Sequence, residues 1–290
     1  MHKIKQHKLL LMLSLGLVAL IASFFFASYI NADLNSGLVA HWKLNNSMTD
    51  SSGNENTLTN DGTESTTGLY EADDTAYKFN GINDESLIAA DSSSLDITGD
   101  ISISGWLKID KPLSYTEWQI ALVSKWSGAT NNRSYLLYAS NDSENSFNDM
   151  LIFGISSDGT GEGSGQELYF SNSTTNFATG TWHHFAVTWN ASESRAEFYM
   201  NGKNLGGDTG SKTQIYNGNA SLKIGYSGDY NGDYSVDEVR LYNKVLTVNE
   251  IKALSINPDY NNDGTVDDDD IYDQAKIHAD WLENVWGTEK

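Results

Sequence analysis

The sequence predicts an all-β fold, two antiparallel sheets packed face to face as a sandwich or jelly roll. Three observations carry this expectation. Short runs of alternating apolar and polar residues recur from about Gly37 to Ala253, broken by turn residues and without long helical patterns between them. Gly, Ser, Asn, Asp and Thr are abundant, which favours turns and strands over long helices. The 290 residues are 39% hydrophobic and 11% aromatic, enough apolar surface to bury a core and to exclude a disordered chain.

The first segment is an address, not part of the fold. Residues 1–8 carry three lysines and no acid, and residues 9–30 carry no charge at all. A basic start, an apolar run and the small residue Ala32 read as a signal peptide over 1–32. The run is close to the roughly 20 residues that span a bilayer, so an uncleaved N-terminal anchor is the alternative. In both cases the remainder is expected outside the cytoplasm, extracellular or at the cell surface.

The strands follow over 33–254. Ile101, Ile103, Gly105, Leu107 and Ile109 alternate with Ser102, Ser104, Trp106 and Lys108, the period of a strand. Phe185, Val187 and Trp189 alternate with His184, Ala186 and Thr188. Phe198-Tyr199-Met200 leads into Asn201-Gly202, a strong two-residue hairpin signal. Leu151–Phe153, Leu222–Ile224 and Val236–Tyr242 are further strands. Trp106, Trp182, Phe185, Trp189 and Tyr242 sit inside these patterns and are expected to pack. His183 and His184 are neighbours on a strand, so they face opposite sides and cannot share one ion. A helix is predicted from Thr247, because Thr247 and Glu250 have the spacing of a capping box and Ile251 and Leu254 give an apolar side.

Composition excludes whole classes of function. Without cysteine there is no disulfide, thiol nucleophile or thiolate metal site. Eighteen basic against thirty-nine acidic residues give a formal charge of −21, which repels nucleic acid and anionic membranes. No Gly-x-Ser-x-Gly and no paired-histidine zinc motif occurs.

The segment 255–290 carries the sharpest chemical signal, ten acids against two lysines. After Pro258, the spacing of Asp259, Asn261, Asp263, Gly264, Thr265, Asp267 and Asp270 reproduces a twelve-residue calcium loop. Asp259, Asn261 and Asp263 supply oxygens at positions 1, 3 and 5, and the Thr265 carbonyl serves at 7. Asp267 acts at 9, directly or through water, and Asp270 closes the loop at 12, where a bidentate Glu is usual. Gly264 makes the turn and Val266 pins the loop. Beyond it Ile271, Ala275, His278, Leu282 and Val285 form one helical stripe.

Six segments, "GLVAHWKL…DSSGN", "AYKFNGINDESL", "SSSLDITGDISISGWLKI", "ATGTWHHFAVTWN", "EFYMNGK" and "SVDEVRLYNKVLTVNEIKAL", resemble in order the laminin-G-like domains of the concanavalin A-like lectin/glucanase superfamily. The resemblance implies a concanavalin A-like jelly roll. It also implies recognition of a polysaccharide or glycoprotein glycan, or adhesion, because this fold serves lectins and binding modules as well as hydrolases. The glucanase branch carries Glu-x-Asp-x-x-Glu on one strand, and no such spacing occurs here. Glu193 and Glu197 have Arg195 between them. A non-catalytic chain is therefore expected. Relatives hold a structural calcium through an Asp of the last strand and backbone carbonyls, for which Asp237 and Gly81 are the positional candidates. The loop and helix at 255–290 resemble half of a dockerin, which implies docking to a cohesin-like protein or packing on the chain's own β domain.

Sugars are expected on exposed aromatics flanked by polar groups. Trp118, Trp126 with Arg133 and Tyr135, and Tyr230 with Asp233 lie in loop-like stretches and are the candidates. The function expected is an exported carbohydrate-binding or adhesion module with a calcium-dependent attachment tail. The alternative is a structural extracellular protein whose sandwich contacts other proteins and binds no sugar.

Overall fold

The computed structural model describes residues 34–69, 76–81, 84–111, 119–128, 131–142, 147–161, 167–171, 177–225 and 232–256. Segment 1–32, expected to be a leader, and segment 259–270, expected to be a calcium loop, lie outside these residues. In chain order the strands are β1 (Leu38–Trp42), β2 (Leu58–Asp61), β3 (Glu64–Thr66), β4 (Ala76–Asn80) and β5 (Ser86–Ala89). Then come β6 (Ile101–Ile109), β7 (Gln119–Ser127), β8 (Asn132–Asp142), β9 (Phe147–Ser156) and β10 (Glu167–Ser171). The last are β11 (Trp182–Asn190), β12 (Arg195–Met200), β13 (Lys203–Thr209), β14 (Leu222–Gly225) and β15 (Asp233–Tyr242), followed by helix α1 (Val248–Leu254).

All named pairings are antiparallel and form two sheets. One runs β13-β12-β11-β6-β15-β4-β3, with β1 also on β15, and the other runs β10-β9-β8-β7-β14-β5-β2. The alternation read in β6 and β11 holds. Ile101, Ile103, Leu107, Ile109, Phe185, Val187 and Trp189 are buried in the core between the sheets. From the facing sheet come Leu122, Val123, Leu137, Phe153, Ile155, Leu222 and Ile224. Gly105 interrupts β6 because a Cβ there would meet the Phe185 ring at 2.9 Å. Asn201 and Gly202 both have positive φ, 49° and 72°, as the tight β12–β13 hairpin requires.

The outer face of the first sheet is covered by α1. Ile251 and Leu254 pack with Ala186, Tyr199, Tyr242 and Leu246 in a second apolar cluster, which is why Ser102 and Ser104, on the polar side of β6, are buried as well. Both halves of the capping box form: Thr247 Oγ1 accepts from the Glu250 N–H, and a Glu250 carboxylate oxygen accepts from the Thr247 N–H at 2.7 Å. Such a cap contributes about 1 kcal/mol.

Beneath the second sheet the Lys125 ammonium is buried among oxygens. It lies 2.6 Å from Asp91 Oδ1 and 3.0 Å from the Ala220 carbonyl, and also donates to the Gly218 carbonyl. One cation thus ties two loops to β7. Among the described residues no helix is long and apolar enough to cross a membrane.

Candidate functional site

The outer face of the second sheet presents one aromatic group the sequence pointed to, Trp126, together with one it did not, Tyr169. Strand register sets the layout. Tyr169 of β10 pairs with Gly154 of β9, Gly154 with Leu136 of β8, Leu136 with Ser124 of β7, and Lys223 of β14 with Ser124. Directly paired residues share a face, so these residues form one row across the strands. Leu136 of this row, with Tyr138 and Ile152 beside it, makes a buried apolar floor, with Trp126 and Met150 packed against them half-buried.

Two rings stand on that floor. Tyr169 is 41% exposed, and its centroid lies 6.3 Å from that of Trp126, with the ring planes 53° apart. The backbones of β10 and β7 are three strand spacings apart, roughly 14 Å at about 4.8 Å each, so the two side chains lean toward one another across β9 and β8. Gly154 makes this possible. A Cβ there would fall 2.8 Å from Tyr169 Cε1, so only glycine leaves room for the ring to lie over the strand.

Arg133 pairs with Trp126 across β7 and β8. Its guanidinium lies close to two glycines, since a Cβ on Gly161 would come 2.4 Å from the guanidinium carbon and one on Gly128 2.9 Å from a terminal nitrogen. Tyr135 is not part of this group. The ladder shifts register between Lys125 and Trp126, which sends Arg133 and Tyr135 to opposite faces although only Ser134 separates them. Tyr135 is fully buried in the core and donates its hydroxyl to the Leu95 carbonyl at 3.1 Å, so no sugar can stack on it.

Asp233 is also elsewhere. It begins β15 with its side chain only 8% exposed, 3.0 Å from Lys78 Nζ and 2.5 Å from Lys111 Nζ. Burial opposes its ionisation, but the two ammonium groups outweigh that and hold its carboxyl below the usual range. Its role is an ion-paired strand end. Trp118 and Tyr230 lie outside the described residues.

The positional candidates for a structural calcium do not fit an ion. Asn80 pairs with Asp233, so Gly81 lies past that end of β15. Asp237 is four residues further along, at least roughly 13 Å away at about 3.3 Å per residue, whereas calcium–oxygen bonds are about 2.3–2.6 Å. Both Asp237 oxygens are taken by backbone donors, the Leu69 N–H at 2.9 Å and the Glu238 N–H at 2.8 Å. Among the described residues no group of three or more His, Asp or Glu is placed to hold a metal. His183 and His184 behave as packed residues. His184 meets Trp106 edge-on at 5.4 Å, and burial, with Arg240 adding, pushes its imidazole down to about 3. Trp182 has the Lys108 ammonium 5.3 Å from its centroid.

A polar cleft of about 480 Å³ lies between the start of β1 and residues 93–100, lined by Asn54, Ser94, Asp96, Thr98 and Asp100 among others, with no aromatic ring. Its polar groups serve the fold: Asn54 donates to the Val39 carbonyl, Ser94 to Asn56, and Asp100 accepts from the Ala191 N–H. The exposed ring pair is the better-built site.

Tyr169 and Gly154 carry no mark in the sequence. Leu168-Tyr169-Phe170 reads as a continuous apolar run, so alternation does not reveal that the middle ring faces outward while Phe170 is core and Leu168 packs on it. The pairing with Gly154, the one signal able to find it, is non-local.

Residues 80–252 match the Laminin_G_3 family model of the concanavalin A-like lectin/glucanases superfamily, more than half of the chain. The chain belongs to this superfamily. Among solved structures it is similar to the binding domain of a paraclostridial mosquitocidal protein, with TM-score 0.60 and 17% identity over 77% of this chain and 52% of that one. It is similar to botulinum neurotoxin type C, whose cell entry depends on interaction with two ganglioside molecules, with TM-score 0.59 and 14% identity over the same shares. The third is domain 4 of the extracellular arabinanase AbnA from Geobacillus stearothermophilus in complex with arabinotriose, with TM-score 0.52 and 20% identity over 76% of this chain and 98% of that one. The chain spans about half the length of the two toxin chains. At these identities the likenesses establish the fold. No curated protein sequence matches the chain.

Proposed function

We propose that this chain is an exported, non-catalytic carbohydrate-binding or adhesion module that holds a glycan on Trp126 and Tyr169. The observation that carries the reading is the exposed Tyr169 ring leaning toward Trp126 over Gly154. An aromatic face offers a sugar ring an apolar surface for its C–H groups while its hydroxyls stay wet, and tyrosine and tryptophan lose little rotamer entropy in doing so. Arg133 at the rim supplies hydrogen-bond donors beside them. Membership of a superfamily that includes lectins supports it, as do similar domains crystallised with arabinotriose or studied for ganglioside interaction.

The basic-apolar leader supports export, and the absence of a recognisable carboxylate pair or nucleophile motif in the sequence supports binding without cleavage. In the same reading residues 259–270 bind calcium and segment 255–290 attaches the module, to a cohesin-like partner or to its own domain. One observation favours the alternative of a structural protein–protein contact: Tyr169 is an exposed large aromatic, a residue type enriched at protein interfaces.

A glycan array probed with the full chain separates the two. Binding to at least one glycan, erased by Trp126→Ala and by Tyr169→Ala with the circular dichroism unchanged, is the expected result. Truncating a central aromatic contact costs about 2 kcal/mol or more, roughly 30-fold in affinity. A blank array, or hits indifferent to both substitutions, refutes the carbohydrate site on this face.

A further inference from the structure

We infer that the Trp126–Tyr169 site takes a single glycan chain whose successive rings turn relative to one another, and not the flat face of a crystalline polysaccharide. The inference rests on the carbohydrate-binding reading of this site and deepens it to a ligand class. A sugar ring stacked on an aromatic lies parallel to it in van der Waals contact. Two coplanar aromatics can therefore share one flat surface. Rings inclined at 53° with centroids 6.3 Å apart cannot; only one of them can lie against a plane. A ligand that uses both must change the direction of its own rings within about one residue.

The tilt is built into the sheet. Trp126 is held from below by packing on the Leu136–Tyr138–Ile152 floor, and Tyr169 is seated over Gly154, with no Cβ to lift it. Flattening the pair would lift Trp126 from the floor or Tyr169 from Gly154, with loss of van der Waals contact. Position in the fold agrees with the geometry. Tyr169 lies on β10, an end strand of its sheet in the strand order, so among the described residues no further strand of that sheet stands in the way of a chain crossing the rings.

The full chain is run by native affinity electrophoresis in gels containing soluble arabinan, arabinoxylan, amylose or mixed-linkage β-glucan, and in parallel mixed with microcrystalline cellulose and crystalline chitin. Retardation by at least one soluble polymer is expected, abolished in Tyr169→Ala and kept in Tyr169→Phe, which retains the ring. Depletion by the crystals is expected to stay at the level of an inert protein. Depletion by cellulose or chitin that Tyr169→Ala abolishes would overturn the single-chain inference and leave the carbohydrate reading standing. No retardation and no depletion, together with a blank glycan array, would remove the carbohydrate reading itself.

Discussion

Asp237 shows how a residue that resembles a metal ligand can belong to the backbone. It is fully buried beside the β15 bulge, where Glu238 takes a φ of 51°. Its oxygens accept N–H groups from Leu69 and Glu238, joining segments 168 residues apart. Burial pushes its carboxyl up to about 7, the negative Glu238 adding to the rise and the two N–H donors and Arg240 resisting it. Unfolded, an aspartate titrates near 3.9. A raised folded value means the folded chain holds this proton more tightly. The resulting stabilisation is complete below about pH 4 and is lost as pH rises through about 7. Asp237→Asn has no such proton to lose. Its stability relative to wild type should therefore improve from pH 4 to pH 8, by up to roughly 4 kcal/mol at about 1.36 kcal/mol per unit. Urea midpoints of both proteins across that range measure it; a difference that does not change with pH would show that Asp237 is ionised throughout. The neighbouring Glu238 behaves oppositely. Burial opposes its ionisation, but His41 at 2.7 Å and Arg240 at 2.6 Å outweigh that and hold it low.

At the scale of elements, what was legible was local. Asn201-Gly202 reads as a hairpin because its two left-handed φ values are demanded by neighbouring residues alone, and Thr247 with Glu250 reads as a helix start because cap and box close within four residues. The register shift between Lys125 and Trp126 was not legible, since it depends on which residues of β8 face β7. That shift separates Tyr135 from Trp126 and Arg133: two members of the candidate group share the outer face and the third is core. The row that brings Tyr169 in requires four strands in register, information no single run contains. The calcium loop expected at 259–270 is a local signal in the same sense as the hairpin, with every expected ligand inside a dozen residues. Titrating the full chain with calcium in a calorimeter should give saturable heat, lost in Asp263→Ala and Asp267→Ala. Heat that persists in both variants, or none in wild type, would remove calcium from that segment.

At the scale of the molecule, the two sheets use their outer faces differently. On one, α1 packs Ile251 and Leu254 against Tyr242, Tyr199 and Ala186; the other keeps an exposed tyrosine beside Trp126. A sandwich needs only its inner faces to fold, so an outer face with rings standing on it is free to serve recognition. The fold class was readable from strand density and turn chemistry, because both follow from the composition of each run. The site was not, because it is a property of neighbours across a sheet. The strongly acidic surface, −21 overall, adds a constraint on partners by favouring neutral or cationic ligands over anionic ones at low salt.

The most direct test is a calorimetric titration of wild type and Gly154→Ala with an oligosaccharide identified on the array. The added methyl meets the Tyr169 ring and not backbone, and that ring is 41% exposed, so the melting temperature should stay within about 2 °C, the shift of a surface change below about 0.5 kcal/mol. With the ring moved off the strand, affinity should fall by about tenfold or more, the equivalent of about 1.4 kcal/mol. Equal affinity in the two proteins would mean that the sugar does not rest on Tyr169, and the glycan-binding face would have to be sought elsewhere.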